Sequence, residues 1–118
     1  MDDHVVLDIQ ISSGEGFNSS GLQALTREIQ QHDNLVLAKT PTLQQAKNDS
    51  ATIAMITVAI ISSVVPILIQ SITEWAKSQR LREIEVEVAH GDRKIRVHMT
   101  RGDDEEVMKI IEQIKKVL

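Results

Sequence analysis

The sequence predicts an α+β domain in which helices cover one side of a four-stranded sheet. Three observations support this prediction. Residues 5–12 and 83–100 alternate apolar and polar side chains with the period of two that is typical of strands. Residues 20–32 and 103–118 carry apolar side chains at helical spacing. Between them, residues 50–73 carry no charge and are numerous enough for a long central helix.

Length and composition limit the classes of function. The chain has 118 residues, which is enough for one domain, taken as residues 1–118, and too few for two. Its net charge is −4 and its aromatic content 2%, which argue against nucleic-acid binding because phosphate contacts need a basic surface. It has no cysteine, so disulfides and thiol chemistry are excluded. The start, "MDDHVVLDIQ", is unlike a signal peptide, and we expect a cytoplasmic protein.

The first third of the chain predicts a strand, a helix and a second strand. Residues 5–12 form the strand. The helix should begin at Ser20, which makes a capping-box pattern with Gln23, and should end near His32. The segment 34–39 is a short second strand. The side chains expected to face the core are Val5, Leu7, Ile9 and Ile11 of the strand and Leu22, Leu25 and Ile29 of the helix.

The uncharged stretch is predicted to be the longest helix. A polar connection, 40–50, precedes it, and Pro41 is placed to begin one helical turn there. The helix would cover 50–73 and continue to about residue 80. Its uncharged part would be about 36 Å long, enough to cross the hydrocarbon core of a bilayer. Pro66 should kink it, because proline cannot donate the helical hydrogen bond.

The segment 83–100 predicts a β-hairpin around a two-residue loop at Gly91 and Asp92. This register puts three apolar pairs on one face of the sheet: Val88 with Ile95, Val86 with Val97, and Ile84 with Met99. It puts two pairs of opposite charge on the other face: Glu87 with Arg96, and Glu85 with His98.

The chain ends in a predicted amphipathic helix. Acidic residues 103–106 lie at its start and Lys115 and Lys116 at its end, which suits the helix dipole. Its apolar stripe consists of Val107, Ile110, Ile111, Ile114, Val117 and Leu118. The predicted order of elements is therefore β-α-β-α-β-β-α.

No constellation of residues indicates catalysis. The loop with Gly14 and Gly16 lacks the lysine of a phosphate-binding loop, and Glu15 would repel phosphate. The four histidines lie in separate elements without metal-ligand spacing. We therefore expect no enzyme activity, no cofactor and no metal.

The central helix allows three interpretations. A membrane span would place the two halves of the sheet on opposite sides of the bilayer, and neither half is large enough to fold alone. A monomer would leave part of the helix exposed, and large exposed apolar surfaces mark partners or membranes. We favour self-assembly, with contacts through Ile53, Ile56, Ile60, Ile61, Val64, Ile67 and Leu68. A stripe that permits close helix packing would consist of Ala59, Ser63, Pro66 and Gln70.

Two pieces of sequence carry a family resemblance. They are the helix end "SITEWAKSQR", in which Trp75 is followed by basic residues, and the hairpin "IEVEVAHGDRKIRVHM". They resemble the effector-associated constant component family of bacterial conflict systems. The resemblance implies a non-catalytic part of an anti-phage defence system that works beside variable partners, such as a peptidase or effector-associated protein encoded nearby. We expect partner contacts at Trp75, Arg80 and Arg82.

Three functional hypotheses follow from the sequence. In the first, the chain forms a homo-oligomer or filament through the central helix and couples to an effector. In the second, it is recruited to the inner membrane and disrupts it by inserting helix 50–73. In the third, it is an adaptor, monomeric alone, that docks the helix on another chain.

Overall fold

The computed structural model describes residues 5–14, 16–45, 52–100 and 104–117. Within these ranges the chain forms six strands and three α-helices. The strands are β1 (Val5–Ser13), β2 (Val36–Leu37), β3 (Thr42–Gln45), β4 (Thr52–Ile60), β5 (Glu83–His90) and β6 (Arg93–Thr100). The helices are α1 (Ser19–Gln30), α2 (Val65–Ser78) and α3 (Asp104–Val117), and a 3-10 turn, Ser62–Val64, precedes α2.

All six strands belong to one antiparallel sheet with the order β2-β4-β1-β5-β6. Strand β3 pairs with the first half of β4 and β2 with its second half, so the two short strands together form one edge. With β2 and β3 counted as one strand, the elements from β1 to β5 follow the β-α-β-β-α-β order of ferredoxin-like domains. Strand β6 and helix α3 extend that arrangement.

One face of the sheet is covered by the helices. Alternate residues of each long strand are buried against them, because successive side chains of a strand point to opposite faces. The core is almost entirely aliphatic, and its largest fully buried side chain is Trp75 of α2. Other core members include Leu7, Ile9 and Ile11 of β1, Leu25 and Ile29 of α1, and Ile110, Ile111 and Ile114 of α3.

The prediction of a long apolar helix is wrong. Residues Thr52–Ile60 form strand β4, and a regular helix begins only at Val65. Strand β4 alternates between buried and less buried positions and is rich in β-branched residues, which favour strands. Pro66 lies in the first turn of α2, where its missing N–H costs nothing, so it begins a helix instead of kinking one. The predicted count of four strands is also wrong, since the sheet has six.

Two further corrections concern the first half of the chain. The polar connection contains strand β3 at Thr42–Gln45, where a helical turn was expected. The cap of α1 is Asn18, whose side-chain oxygen accepts a hydrogen bond from the Gly21 N–H at 3.1 Å. The helix therefore begins at Ser19 and ends at Gln30, short of His32.

The hairpin and the first strand are confirmed. Strands β5 and β6 pair in the predicted register, and β1 extends one residue beyond its predicted end. Arg96 Nη2 lies 3.5 Å from Glu87 Oε1, as expected. His98 stands opposite Glu85, yet its Nε2 lies 3.8 Å from Glu83 Oε2, so this contact runs diagonally. The predicted C-terminal helix is confirmed as α3, although Asp103, Leu118 and the Val107 and Val117 side chains lie outside the described residues.

Candidate protein-binding face

The side of the sheet opposite the helices is called the open face. It presents the even-numbered residues of β1 and β6 and the odd-numbered residues of β4 and β5. These positions are exposed or half-buried, whereas the alternate positions are mostly buried. Within the described ranges no helix packs on this face. Among the described residues it is therefore a regular surface on which another molecule can lie.

One part of the open face is apolar and is called the apolar patch (Val6, Val36, Ile53, Met55 and Ala59). Val36 and Val6 stand on either side of Ala59 in adjacent strands. Val6, Val36 and Met55 are 51%, 50% and 36% exposed. Single exposed apolar residues are normal on a protein surface, but these belong to one face. Among the described residues, the one other exposed large hydrophobic side chain is Met108 of α3.

The opposite part of the open face is charged. Strand β5 contributes Glu83, Glu85 and Glu87, and the edge strand β6 contributes Lys94, Arg96 and His98, called the basic edge. Arg96 and Glu87 form an ion pair at 3.5 Å in which the arginine is exposed and the glutamate half-buried, and His98 and Glu83, both exposed, approach to 3.8 Å. Exposed ion pairs contribute little stability because water and salt screen them. The charges chiefly determine which molecules can approach this half of the face.

A concavity of about 530 Å³ lies over the middle of the open face. Asp8 and Met55 contribute to its floor, and Lys39 and Thr40, from the connection between β2 and β3, contribute to its wall. Asp8 accepts a hydrogen bond from the Thr57 hydroxyl at 2.9 Å, which holds the carboxylate against the sheet. Carboxylates and lysines both line the concavity, so it carries no single sign of charge. This mixture suits the varied surface of a protein better than one small ion.

Trp75, a predicted partner contact, belongs to the core. It is 1% exposed, and its indole N–H donates a hydrogen bond to the Gly21 carbonyl at 2.8 Å. The Phe17 ring packs edge-on against it, with the ring centroids 5.0 Å apart. The side chain thus fastens α2 to the start of α1 and is not available to a partner. Its N–H finds a backbone acceptor, as buried indoles usually do.

The other two predicted partner contacts lie in the turn after α2. Arg80 and Arg82 are both exposed there. Arg80 has a φ of 59°, a left-handed conformation that often ends helices. The turn is closed by a hydrogen bond from the Leu81 N–H to the Ala76 carbonyl. The two arginines therefore flank the entry to β5, but the structure does not bring them together with Trp75 at one surface.

The residues predicted for oligomer or membrane contact are divided between strand and helix. Ile56, Ile60, Val64 and Leu68 are buried in the chain's own core, so they are not available to another subunit. Ile53 is half-buried on the open face, and Ile61 and Ile67 are half-buried near the start of α2. The expected small-residue stripe does not exist, because Ala59 belongs to β4, Ser63 to the 3-10 turn, and Pro66 and Gln70 to α2.

The open face was not predicted from the sequence as a site. The signal that could have indicated it is the uncharged, β-branched composition of β4, in which Ile53 and Met55 are as apolar as the buried Ala54 and Ile56. A strand that is apolar on both sides is typically covered on both sides. Here the described helices cover one side only.

Two further observations bear on the earlier hypotheses. Among the residues that the structure describes, no group of three or more histidine, aspartate or glutamate side chains is placed to hold a metal ion. In the same part of the chain, no helix combines the length and apolar character needed to cross a bilayer.

The fold and the open face define a two-layer α+β protein with one sheet surface available for binding. The chain belongs to the family described as Effector Associated Constant Component 1, whose model matches residues 15–115. This confirms the family indicated by the sequence and makes the chain an effector-associated component of conflict systems. No curated protein and no solved structure shows significant similarity to it.

Proposed function

We propose that this chain is a non-catalytic, protein-binding component of a bacterial anti-phage conflict system, and that it docks its effector partner on the open face. The observation that supports this proposal is the apolar patch, which contains three of the exposed large hydrophobic side chains and lies on a sheet face without helices. Exposed apolar patches with polar borders are typical of protein interaction sites.

The arrangement of the open face resembles the anatomy of a protein interface. The apolar patch would form the water-excluding centre, and the charged residues of β5 and β6 would form part of the rim. Asp8 and Lys39 border the patch and offer polar contacts of both signs. Such a surface favours a protein partner over a polyanion, because a long polyanion would meet carboxylates as well as basic groups, whereas a protein offers charges of both signs.

Self-assembly is a second candidate function, and the surface that would mediate it is the open face instead of a central helix. Of the residues first assigned to subunit contacts, Ile53 lies on the open face beside Met55 in the apolar patch. A second copy of the chain could cover the same patch. The effector is preferred as occupant because the family's description is that of an effector-associated component.

The test is to co-express the chain with the effector-associated protein encoded beside its gene and to purify the pair. The double variant Val6→Lys/Val36→Lys puts two charges on either side of Ala59, at one end of the patch. It should reduce the retained partner about tenfold or more, since desolvating buried charges at an interface is costly. Light scattering on the chain alone measures self-association in parallel.

The matched control is Met108→Lys, which charges a side chain that is equally apolar and 62% exposed but lies on α3. This variant should retain the partner at the wild-type ratio. Both variants should melt within a few degrees of the wild type, because the changed side chains are exposed. Full retention of the partner by the well-folded double variant would refute docking at the open face. Oligomers that the double variant dissolves would instead assign the patch to self-assembly.

A further inference from the structure

Strand β6 forms one edge of the sheet. It is eight residues long and unbroken, and among the described residues no strand lies beyond it. An edge strand presents N–H and C=O groups that can pair with a further strand. The other edge is different, because β2 and β3 are two and four residues long and are separated by a segment that contains Pro41.

The hairpin turn determines which backbone groups of β6 point outward. Gly91 has a φ of 61° at the first loop position, which is typical of a type II′ turn. In such a two-residue hairpin the closing pair, His90 and Arg93, is hydrogen-bonded. Bonded and non-bonded pairs then alternate along the strands. The outward N–H and C=O groups therefore belong to Lys94, Arg96, His98 and Thr100.

The same residues carry the basic edge. Lys94, Arg96 and His98 point to the open face, and their backbone groups point away from β5. A second β6 paired antiparallel at this edge would place basic residues opposite basic residues, which is destabilising. The edge is thus protected against copies of itself and suits a strand with acidic residues on the open-face side.

The side of β6 that faces the helices favours aliphatic neighbours. Its inward side chains are Ile95, Val97 and Met99, and the neighbouring strand β5 meets them with aliphatic residues. Val97 and Met99 are buried, but Ile95 is only half-buried, so an added aliphatic residue could cover it further. Strand β5 itself shows the pattern that pairs well with β6, because glutamate alternates with isoleucine and valine in "EIEVEV".

We infer that the outer edge of β6 binds an extended peptide segment in which acidic residues alternate with aliphatic residues, and that the segment adds a strand to the sheet. The backbone groups of Lys94, Arg96 and His98 provide the hydrogen bonds, and the charged side chains of Lys94 and Arg96 select acidic residues. The inward positions accept aliphatic side chains. Addition of a strand to a sheet edge is a recurrent mode of peptide recognition.

This inference does not depend on docking at the apolar patch. Val6 lies on β1, two strands from β6, or about 10 Å at the usual strand spacing. The variant Val6→Lys/Val36→Lys should therefore bind the peptide like the wild type, whatever its effect on the effector. Failure of one proposal leaves the other standing.

The probe is a synthetic peptide with the sequence of β5, Glu83–His90, titrated into the whole chain and followed by NMR. We expect protection from hydrogen exchange at the amides of Lys94, Arg96 and His98. A control peptide, in which lysine replaces the three glutamates, should bind at least about tenfold more weakly, since like charges oppose pairing. Equal binding of both peptides, or protection confined to β5 and β1, would overturn the inference.

Two substitutions of Lys94 distinguish the contribution of its backbone N–H to peptide binding from that of its side-chain charge. Lys94→Ala removes the ammonium group and should weaken binding by about fivefold or less. Lys94→Pro also removes the outward N–H and should weaken binding further, because proline is tolerated at sheet edges but cannot donate there. Wild-type affinity of a folded Lys94→Pro variant would contradict strand addition.

A third substitution keeps the test decisive even if the proline variant does not fold. Lys94→Glu leaves the backbone and the Arg96–Glu87 and His98–Glu83 contacts intact. It should lower the affinity for the acidic peptide and raise that for the lysine peptide. An unchanged order of preference would show that the basic edge does not select the ligand, and dimerisation through β6 would assign the edge to a second copy.

Discussion

The two faces of the sheet are built from the same strands but differ in what covers them. Along β4, Ile56 points to the helices and is buried, while its neighbour Met55 points to the open face and is the least buried residue of that strand. One face therefore contributes the core, and the other is exposed although several of its residues are apolar. Among the described residues, three of the four exposed large hydrophobic side chains therefore lie on the open face.

The largest expected effect comes from truncating the covered face. Ile56→Ala should lower the free energy of unfolding by about 2–5 kcal/mol, because it removes buried methyl groups and leaves a cavity. Chemical denaturation with the midpoint and slope measured for both proteins would give this value.

The neighbouring substitution on the open face is its matched control. Met55→Ala should change the free energy of unfolding by less than about 1 kcal/mol, since the side chain is already partly in water. Equal losses for the two variants would mean that the open face is covered in the isolated protein, which would contradict its role as a free surface.

A smaller effect is expected within the helix layer. Trp75→Phe keeps an aromatic ring against Phe17 but removes the N–H that the Gly21 carbonyl accepts. The buried carbonyl then lacks this partner, and we expect a loss of about 1–3 kcal/mol in the free energy of unfolding. Thermal unfolding followed by circular dichroism measures it.

Phe17→Leu is the comparison for that prediction. It removes the edge-on ring contact and leaves the indole hydrogen bond in place, so it should cost about 0.5–1.5 kcal/mol beyond the change in buried area. A Trp75→Phe variant as stable as the wild type would show that the hydrogen bond adds nothing to the joint between α1 and α2.

The sequence was sufficient to predict strand pairing where local patterns and tertiary structure agree. In the β5–β6 hairpin, one register satisfies the turn, the apolar face and the charged face together, so the pairing followed directly. It was insufficient at β4, because Thr57 is the one polar residue at its outward positions, and a single threonine does not mark the period of two. The run then continues without charge into α2, so the junction near Pro66 was hidden inside an apparent single helix.

The candidate site was missed for the same reason. Its apolar patch lies on β4 and its neighbours, and the pairing of β4 with β1 and β2 joins residues that are distant in the sequence, such as Val6, Val36 and Ala59. Only the basic edge could be derived beforehand, because it belongs to the hairpin. The location of the candidate site therefore depends on the pairing of distant strands, which local sequence patterns do not predict.

The smallest expected effect on stability concerns the charged half of the open face. Arg96→Gln removes the ion pair with Glu87, whose atoms are 3.5 Å apart, and should change the free energy of unfolding by less than about 1 kcal/mol because the arginine is well exposed. The same substitution removes one charge of the basic edge, so it should weaken binding of the β5-sequence peptide severalfold. A stability loss as large as that of Ile56→Ala would make the pair a structural element of the sheet. A small stability loss together with weaker peptide binding would instead show that the two faces have different roles. The covered face would then determine stability, and the open face would determine recognition.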